Sequence, residues 1–159
     1  MNTERMLVAG LQAGFAGDTD RWAVNRGGFD GESSRLDNGE EIYHDEWFAN
    51  RAGGGQELVR VGDKTYTRVY AGGAVSEERL SGLGTTRKEV ISFLKKFILN
   101  YGDEIRLHSN FGPSAEGDWE YAYKILESQE DISMTTGKET IYYKDELVFQ
   151  HNFILCPVD

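Results

Sequence analysis

Thr85-Thr-Arg-Lys-Glu-Val-Ile-Ser-Phe-Leu-Lys-Lys-Phe-Ile-Leu-Asn-Tyr-Gly102 is the most strongly periodic stretch of the chain. Val90, Leu94, Phe97 and Tyr101 recur at the three-four spacing that places them on one helical face, and Ile91 and Ile98 widen it. Lys88, Lys95 and Lys96 fall largely outside that face. Thr86 followed by Glu89 reads as a capping box, in which each side chain satisfies an orphan amide of the first turn. Gly102 stands where a left-handed residue would close the helix. The pattern predicts a helix over 86–101 that buries one face against sheet.

Outward from that helix the period falls to two. Glu41, Tyr43, Asp45 and Trp47 alternate with Ile42, His44, Glu46 and Phe48, a strand with aromatic residues on both faces. Arg51–Gly55 reads as a flexible turn, 58–61 as a second strand, Gly62-Asp-Lys64 as a tight turn and 65–71 as a third strand, closed by Gly72 and Gly73. Residues 76–84 form a polar connection into the helix. Beyond it, Ile105, Leu107 and Phe111 alternate briefly before Gly112-Pro113 breaks the run. A second meander follows: Trp119, Tyr121, Tyr123 and Ile125 share one strand face, 140–143 form the next strand, and 147–155 the last. Ahead of both meanders, 3–13 predicts an amphipathic helix capped by Asn2 or Thr3, with Leu7 and Leu11 one turn apart. Residues 18–39 read as a charged loop holding one short strand.

The meanders resemble one another. Gly39-Glu-Glu-Ile-Tyr43 parallels Gly117-Asp-Trp-Glu-Tyr121, and Gly55-Gln-Glu57 parallels Gly137-Lys-Glu139. Self-similarity of this kind suggests a duplicated three-stranded unit, 39–73 and 117–155, joined by the helix within one domain of 1–159. The expected fold is α+β: a curved antiparallel sheet of two three-stranded meanders packed around one central helix, with a short N-terminal helix across one end.

At 159 residues the chain suits one domain, and folding should bury roughly 70% of the surface an unfolded chain exposes. Eight Tyr, eight Phe and three Trp supply an ample core. Seventeen basic against 27 acidic side chains give a formal charge of −10, a field that repels phosphate backbones and anionic lipid. Direct nucleic-acid binding and membrane attachment are therefore disfavoured, and a cytoplasmic location is expected. Met6–Ala16 is apolar after Arg5, but Glu4 offsets that charge and Gln12 interrupts the run, so it reads as a helix and not as a signal peptide. The single Cys156 excludes an internal disulfide framework and a cysteine-cluster zinc site.

Reactive motifs are missing from the sequence. There is no nucleophile elbow, and Gly53-Gly-Gly55 lacks the lysine and the helix that a phosphate loop needs. His44 and Asp45 point to opposite faces of one strand, and Glu46, on the face of His44, makes a solvated pair with it. His108 sits at a loop edge. His151 lies on the apolar face Leu147, Phe149, His151, Phe153, Leu155, where it reads as a core histidine or as a pocket group. Glu57 and Glu139, at matched places in the two units, are the one carboxylate pair to follow for function, and read more plainly as solvent-facing edge or turn residues. No residue is assigned a catalytic role, and no metal or cofactor is expected.

The glycines and aromatics quoted above also carry a likeness. Together with Met6-Leu7, Phe15-Ala-Gly17, Ser34-Arg35, Tyr70-Ala-Gly-Gly73, Phe93-Leu94, Gly112-Pro113 and Gly137-Lys-Glu-Thr-Ile-Tyr142, they make the chain resemble a bacterial domain family of unknown function. That family occurs alone or behind a helix-turn-helix repressor-type domain. These 159 residues carry no such DNA-binding domain, and Ile154-Leu-Cys-Pro157 replaces the family's His-Gly-Gly-like finish. The resemblance implies a sensing or interaction module.

The leading expectation is a non-catalytic module that recognises a small molecule or a protein through an aromatic-lined face. Tyr43, Trp47, Tyr70, Trp119, Tyr121, Tyr123 and His151 are its candidate ligand-binding residues. One alternative is a small enzyme using a pocket histidine or glutamate. Another is an acidic inhibitor docking on the basic surface of a nucleic-acid-binding protein.

Overall fold

A computed structural model describes residues 2–17 and 21–158. Nine strands form one continuous antiparallel sheet, which corrects the expected pair of three-stranded meanders around a single helix. The chain runs α1 (Thr3–Leu11), a π-helical turn (Gln12–Ala16), β1 (Arg21–Arg26), β2 (Phe29–Asp37), β3 (Glu41–Ala49), β4 (Ala52–Val61) and β5 (Lys64–Ala74). It continues through α2 (Glu77–Leu83), α3 (Arg87–Tyr101), β6 (Phe111–Glu116), β7 (Trp119–Gln129), β8 (Met134–Tyr143) and β9 (Glu146–Val158). The strand order β1-β2-β3-β4-β5-β9-β8-β7-β6 puts the last strand against the fifth and leaves β1 and β6 as open edges.

Three strands and one helix stand where the sequence reading put loops or breaks. Their physical reasons differ. β1 is an edge strand with no buried position, so it lacks the apolar alternation that marks a half-buried strand; Arg21 pairs with Glu32 across to β2 through two hydrogen bonds of 2.8 Å. β2 buries only Ser33 and Ser34, two polar residues. Residues 18–20 of the expected loop lie outside the described residues. β6 contains Gly112-Pro113, and an edge strand accommodates a residue with no N–H to donate. α2 is seven residues long, capped by Ser76, and buries Leu80 alone, too little to show a period.

The glycines of Arg51–Gly55 belong to β4 and not to a turn: Gly53, Gly54 and Gly55 pair with Ala49, Phe48 and Trp47 on one side and with Gly72, Ala71 and Tyr70 on the other. Likewise Gly72 and Gly73 lie within β5 and do not end it.

α3 behaves as its spacing dictates, except that Gly102 keeps a right-handed φ of −57° in place of the expected left-handed one. Val90, Leu94, Phe97 and Ile98 are fully buried, and the Thr86–Glu89 capping box is present. Each buried side chain of this size contributes roughly 1.5–3 kcal/mol. The helix lies on one face of the sheet, where the Phe97 ring stacks on Tyr121 at 4.5 Å and Phe93 on Trp119 at 5.1 Å. α1 covers the other half of that face, with Gly10 directly against the Tyr43 ring, where a Cβ would collide. Between them, Gln12 in the π-helical turn donates to the carbonyls of Ile98 and Leu99 at 3.0 and 3.1 Å. A single core cluster joins α1, α3 and both halves of the sheet.

The two halves of the sheet match in register. Gly55 and Glu57 of β4 face Tyr70 and Arg68 of β5, and Gly137 and Glu139 of β8 face Phe153 and His151 of β9. Tyr70 and Phe153 pair directly where the halves meet.

Candidate functional site

Glu57 and Glu139, expected at solvent-facing edges, are both fully buried. They anchor a polar network beneath the helix layer. Tyr43 donates to Glu57 at 2.8 Å, and Arg68 meets the same carboxylate through Nε and through Nη2, the latter at 2.6 Å. In the other half, Tyr121 donates to Glu139 at 2.6 Å and Arg106 grips it with Nε and Nη2 at 2.8 and 2.7 Å. The Arg68 Nη1 donates to the backbone carbonyl of Arg106 at 2.9 Å, which links the two pairs. Arg106 holds a φ of 59°, unusual for a residue with a side chain, in the connection after α3. Burial alone would raise the Glu139 pKa, but the charge and hydrogen bonds of Arg106 outweigh it and hold Glu139 below the ordinary range.

Beside this network a cavity of about 300 Å³ opens between the helices and the first half of the sheet. Its floor is nearly bare backbone. On the inward face Gly53 pairs with Gly72, and Gly72 faces His151. Gly72 has a φ of 147°, and a Cβ there would stand 2.8 Å from His151 Cδ2. Gly55 leaves room for Tyr70 to cross above it, since a Cβ on Gly55 would come within 2.6 Å of the Tyr70 hydroxyl.

The walls are apolar. Trp47 projects from β3 and meets the Phe15 ring edge-on at 6.3 Å and 88°. Phe15 rides on the π-helical turn, a local distortion that recurs at functional sites. Ile91 and Leu94 of α3 form the roof, and Phe149 of β9 closes the far side.

Besides Arg106, which borders the cavity from its pairing with Glu139, three polar side chains enter this apolar space. Asp45, 1% exposed, accepts a hydrogen bond from the Tyr70 hydroxyl at 3.0 Å. Burial, followed by the nearby Glu57 charge, pushes the Asp45 pKa well above the usual carboxylate range, and neither the Tyr70 hydrogen bond nor the arginines restore it. Burial also raises the Tyr70 phenol, with Asp45 and Glu57 adding to the effect. His151 packs edge-on against Phe149 at 4.5 Å, and its Nδ1 is buried without a hydrogen-bond partner, 3.7 Å from Glu139 Oε2. Burial lowers the His151 pKa to about 4, against the opposing pull of Glu139, so its ring is neutral at pH 7.

The mouth carries charge. Arg51 donates to the Ala74 carbonyl at 2.6 Å, and Arg87 to Asn50 Oδ1 at 2.7 Å with Glu77 at 3.4 Å. Glu32 stands opposite, held by Arg21, whose guanidinium lies over the Trp47 ring at 5.4 Å.

Of the seven candidate residues, the structure brings Trp47, Tyr70 and His151 together in this cavity. Tyr43, Tyr121 and Tyr123 do not reach it. They are fully buried in the core, and their hydroxyls donate to Glu57, Glu139 and the Leu107 carbonyl. Trp119 lies on another surface, between Phe93 and Tyr143. The sequence reading did not include Phe15, Asp45, Arg106 or Phe149. Asp45 carried a signal, a charge on the inward series Tyr43, Asp45, Trp47 of a strand; Arg106, in an irregular connection, carried none.

His44 lies 4.0 Å from Glu46, and His108 Nδ1 is 2.8 Å from Thr135 Oγ1; neither borders the cavity. Among the described residues no group of three His, Cys, Asp or Glu side chains is placed to hold a metal, and no helix is long and apolar enough to cross a membrane. No family model, curated protein or solved structure matches this chain.

Proposed function

We propose that this protein is a non-catalytic binding module that takes a small, largely apolar molecule into the cavity between α3 and the first half of the sheet. The observation that carries this reading is the pairing of bare glycine backbone with ring-lined walls. Gly53 and Gly72 leave the floor empty, and Trp47, Phe15 and Phe149 surround the space above it. A preformed apolar concavity with a few convergent polar groups is the usual form of a small-molecule site. Asp45, Tyr70 and His151 supply that polar end and would orient the ligand.

The chemistry of the lining supports binding over turnover. Among the described residues, the side chains around the cavity include no Ser, Thr, Cys or Lys to act as a nucleophile. His151, with its pKa lowered to about 4, is a weak base at neutral pH, and Glu139 beside it is held by Arg106 and Tyr121. The acidic-inhibitor reading has less behind it. Glu32, Asp37, Glu46, Glu77, Glu116 and Glu146 each sit beside an arginine or a lysine, which breaks up the field an acidic docking face would need.

Titration of isotopically labelled protein with indole, followed by amide and indole N–H shifts, tests the proposal. Saturable shifts confined to Trp47, Gly53, Gly72 and His151, and lost in the cavity-filling variant Ile91→Trp, are the expected result. Shifts scattered over the outer sheet face, or none at all, would refute it.

A further inference from the structure

Resting on the binding reading above, we propose that the ligand of this cavity is an organic cation, an amine on an apolar or aromatic body, whose ammonium pairs with Asp45. The inference starts from the balance of buried charge. Among the described residues, three carboxylic acids and two arginines lie buried at the base of the helix layer: Asp45, Glu57 and Glu139 against Arg68 and Arg106. Both guanidiniums are committed, Arg68 to Glu57 and Arg106 to Glu139, each through two donors to its carboxylate. That leaves one carboxyl without a cation, and it is the one that borders the cavity.

The surroundings of Asp45 supply no substitute. Tyr70 of β5 gives it a single neutral hydrogen bond. From β4 it faces Glu57, a like charge, and His151 of β9 is neutral at pH 7. Arg68 and Arg106 act on it only from a distance, as partners of other groups. Tyr43 contributes a phenol whose proton goes to Glu57. A buried carboxylate without a counter-charge is costly, and burial with the Glu57 charge beside it holds the group toward its protonated form. A ligand ammonium removes that cost: Asp45 ionises, its proton leaves to solvent, and the ion pair forms in a water-poor space. The rings of Trp47 and Phe15 would pack the apolar body of that ligand; each already has a cation of the protein over it, Arg21 at 5.4 Å and Lys95 at 5.3 Å.

Arg51 and Arg87 at the mouth, with Arg106 also bordering the cavity, make the opposite choice, an anionic ligand, the natural rival. Tryptamine, tryptophol and indole-3-acetate share a ring system and differ in a cationic, neutral or anionic terminus, so calorimetric titration with the three decides. Tryptamine is expected to bind at least about tenfold more tightly than either of the others at pH 7. Its heat should depend on the ionisation enthalpy of the buffer, as proton release requires. Asp45→Asn, close in shape, should erase both the preference and the buffer dependence while tryptophol still binds. Should that variant misfold, Tyr70→Phe and the wild-type ranking carry the same decision.

Tryptophol or indole-3-acetate binding as tightly as tryptamine would overturn the amine assignment and leave the cavity reading standing. So would a tryptamine preference that persists in Asp45→Asn. Failure of all three probes, with indole also without effect, removes the cavity reading and the assignment with it.

Discussion

The Tyr70 hydroxyl and the Asp45 carboxyl, 25 residues apart, meet at 3.0 Å across the backbone of Gly55. Their contact exists because a glycine stands between their strands. Replacing Gly55 by Ala is expected to drive the Tyr70 ring off its line, since the new Cβ would stand 2.6 Å from the hydroxyl and 2.8 Å from Trp47 Cβ. Tyr70→Phe removes the same hydrogen bond without the collision. Because that bond lowers the Asp45 pKa, its loss should move the Asp45 carboxyl titration further upward, read by carbon-13 NMR of the side chain. An unmoved titration would mean the hydroxyl does not hold Asp45.

Stability should depend on pH through two groups of opposite sign. His151 has a folded pKa of about 4, below its ordinary 6.5, so the unfolded chain takes up its proton first. Its contribution is complete above about pH 6.5 and is lost as pH falls toward 4, a change of about 3 kcal/mol. Asp45, with a folded pKa raised above 3.8, contributes most in acid and loses that contribution as pH rises through the folded value. Denaturant midpoints measured from pH 4 to 8 should therefore flatten on the acid side in His151→Phe and rise on the alkaline side in Asp45→Asn. Identical profiles for wild type and both variants would contradict this assignment.

Breaking one buried ion pair should cost more than deleting it. Glu139→Gln leaves the Arg106 guanidinium, 5% exposed, without its counterion and is expected to lower stability by about 3–5 kcal/mol. The double variant Glu139→Gln, Arg106→Met should recover part of that loss. Urea unfolding of these two and of Arg106→Met alone completes the cycle, and strictly additive losses would show that the two residues are not coupled.

Thr86→Ala removes the hydroxyl that accepts from the Glu89 amide at 3.3 Å. The loss is expected to be about 1 kcal/mol, visible as a lowered thermal midpoint with the cavity intact. A Ser at 86 should restore it.

How much of this was legible in the sequence follows from where each signal is stored. α3 was readable because its cap, its period and its burial are all local to one stretch. β3, β5, β7 and β9 alternate apolar and polar residues because one face is packed, and they too were visible; of β4 and β8 only the ends at 58–61 and 140–143 were, since both begin in glycine- and threonine-containing stretches with no apolar period. β1, β2 and β6 were not, since an edge or a serine-lined strand has no apolar period to display. At the site, Trp47 and Tyr70 could not be told from Tyr43 and Tyr121 by type or spacing. What separates Tyr70 from Tyr43 and Tyr121 is the partner of its hydroxyl, Asp45 in place of Glu57 or Glu139, and what opens space beside Trp47 is its pairing with Gly55, both set by strand pairing. The glycines were read as turns because conformational freedom is their commoner use. Here several of them serve by having no side chain.

Arg68 and His151 hold corresponding places opposite Glu57 and Glu139, yet only the first carries the counter-charge. In the second half that duty falls to Arg106, sent in from an irregular connection. Position 151 is thereby released from holding the scaffold together and can be altered with little penalty elsewhere. If the cavity binds a ligand as proposed, proteins of this fold that recognise other molecules would be expected to vary at that strand position while keeping the connection's arginine fixed.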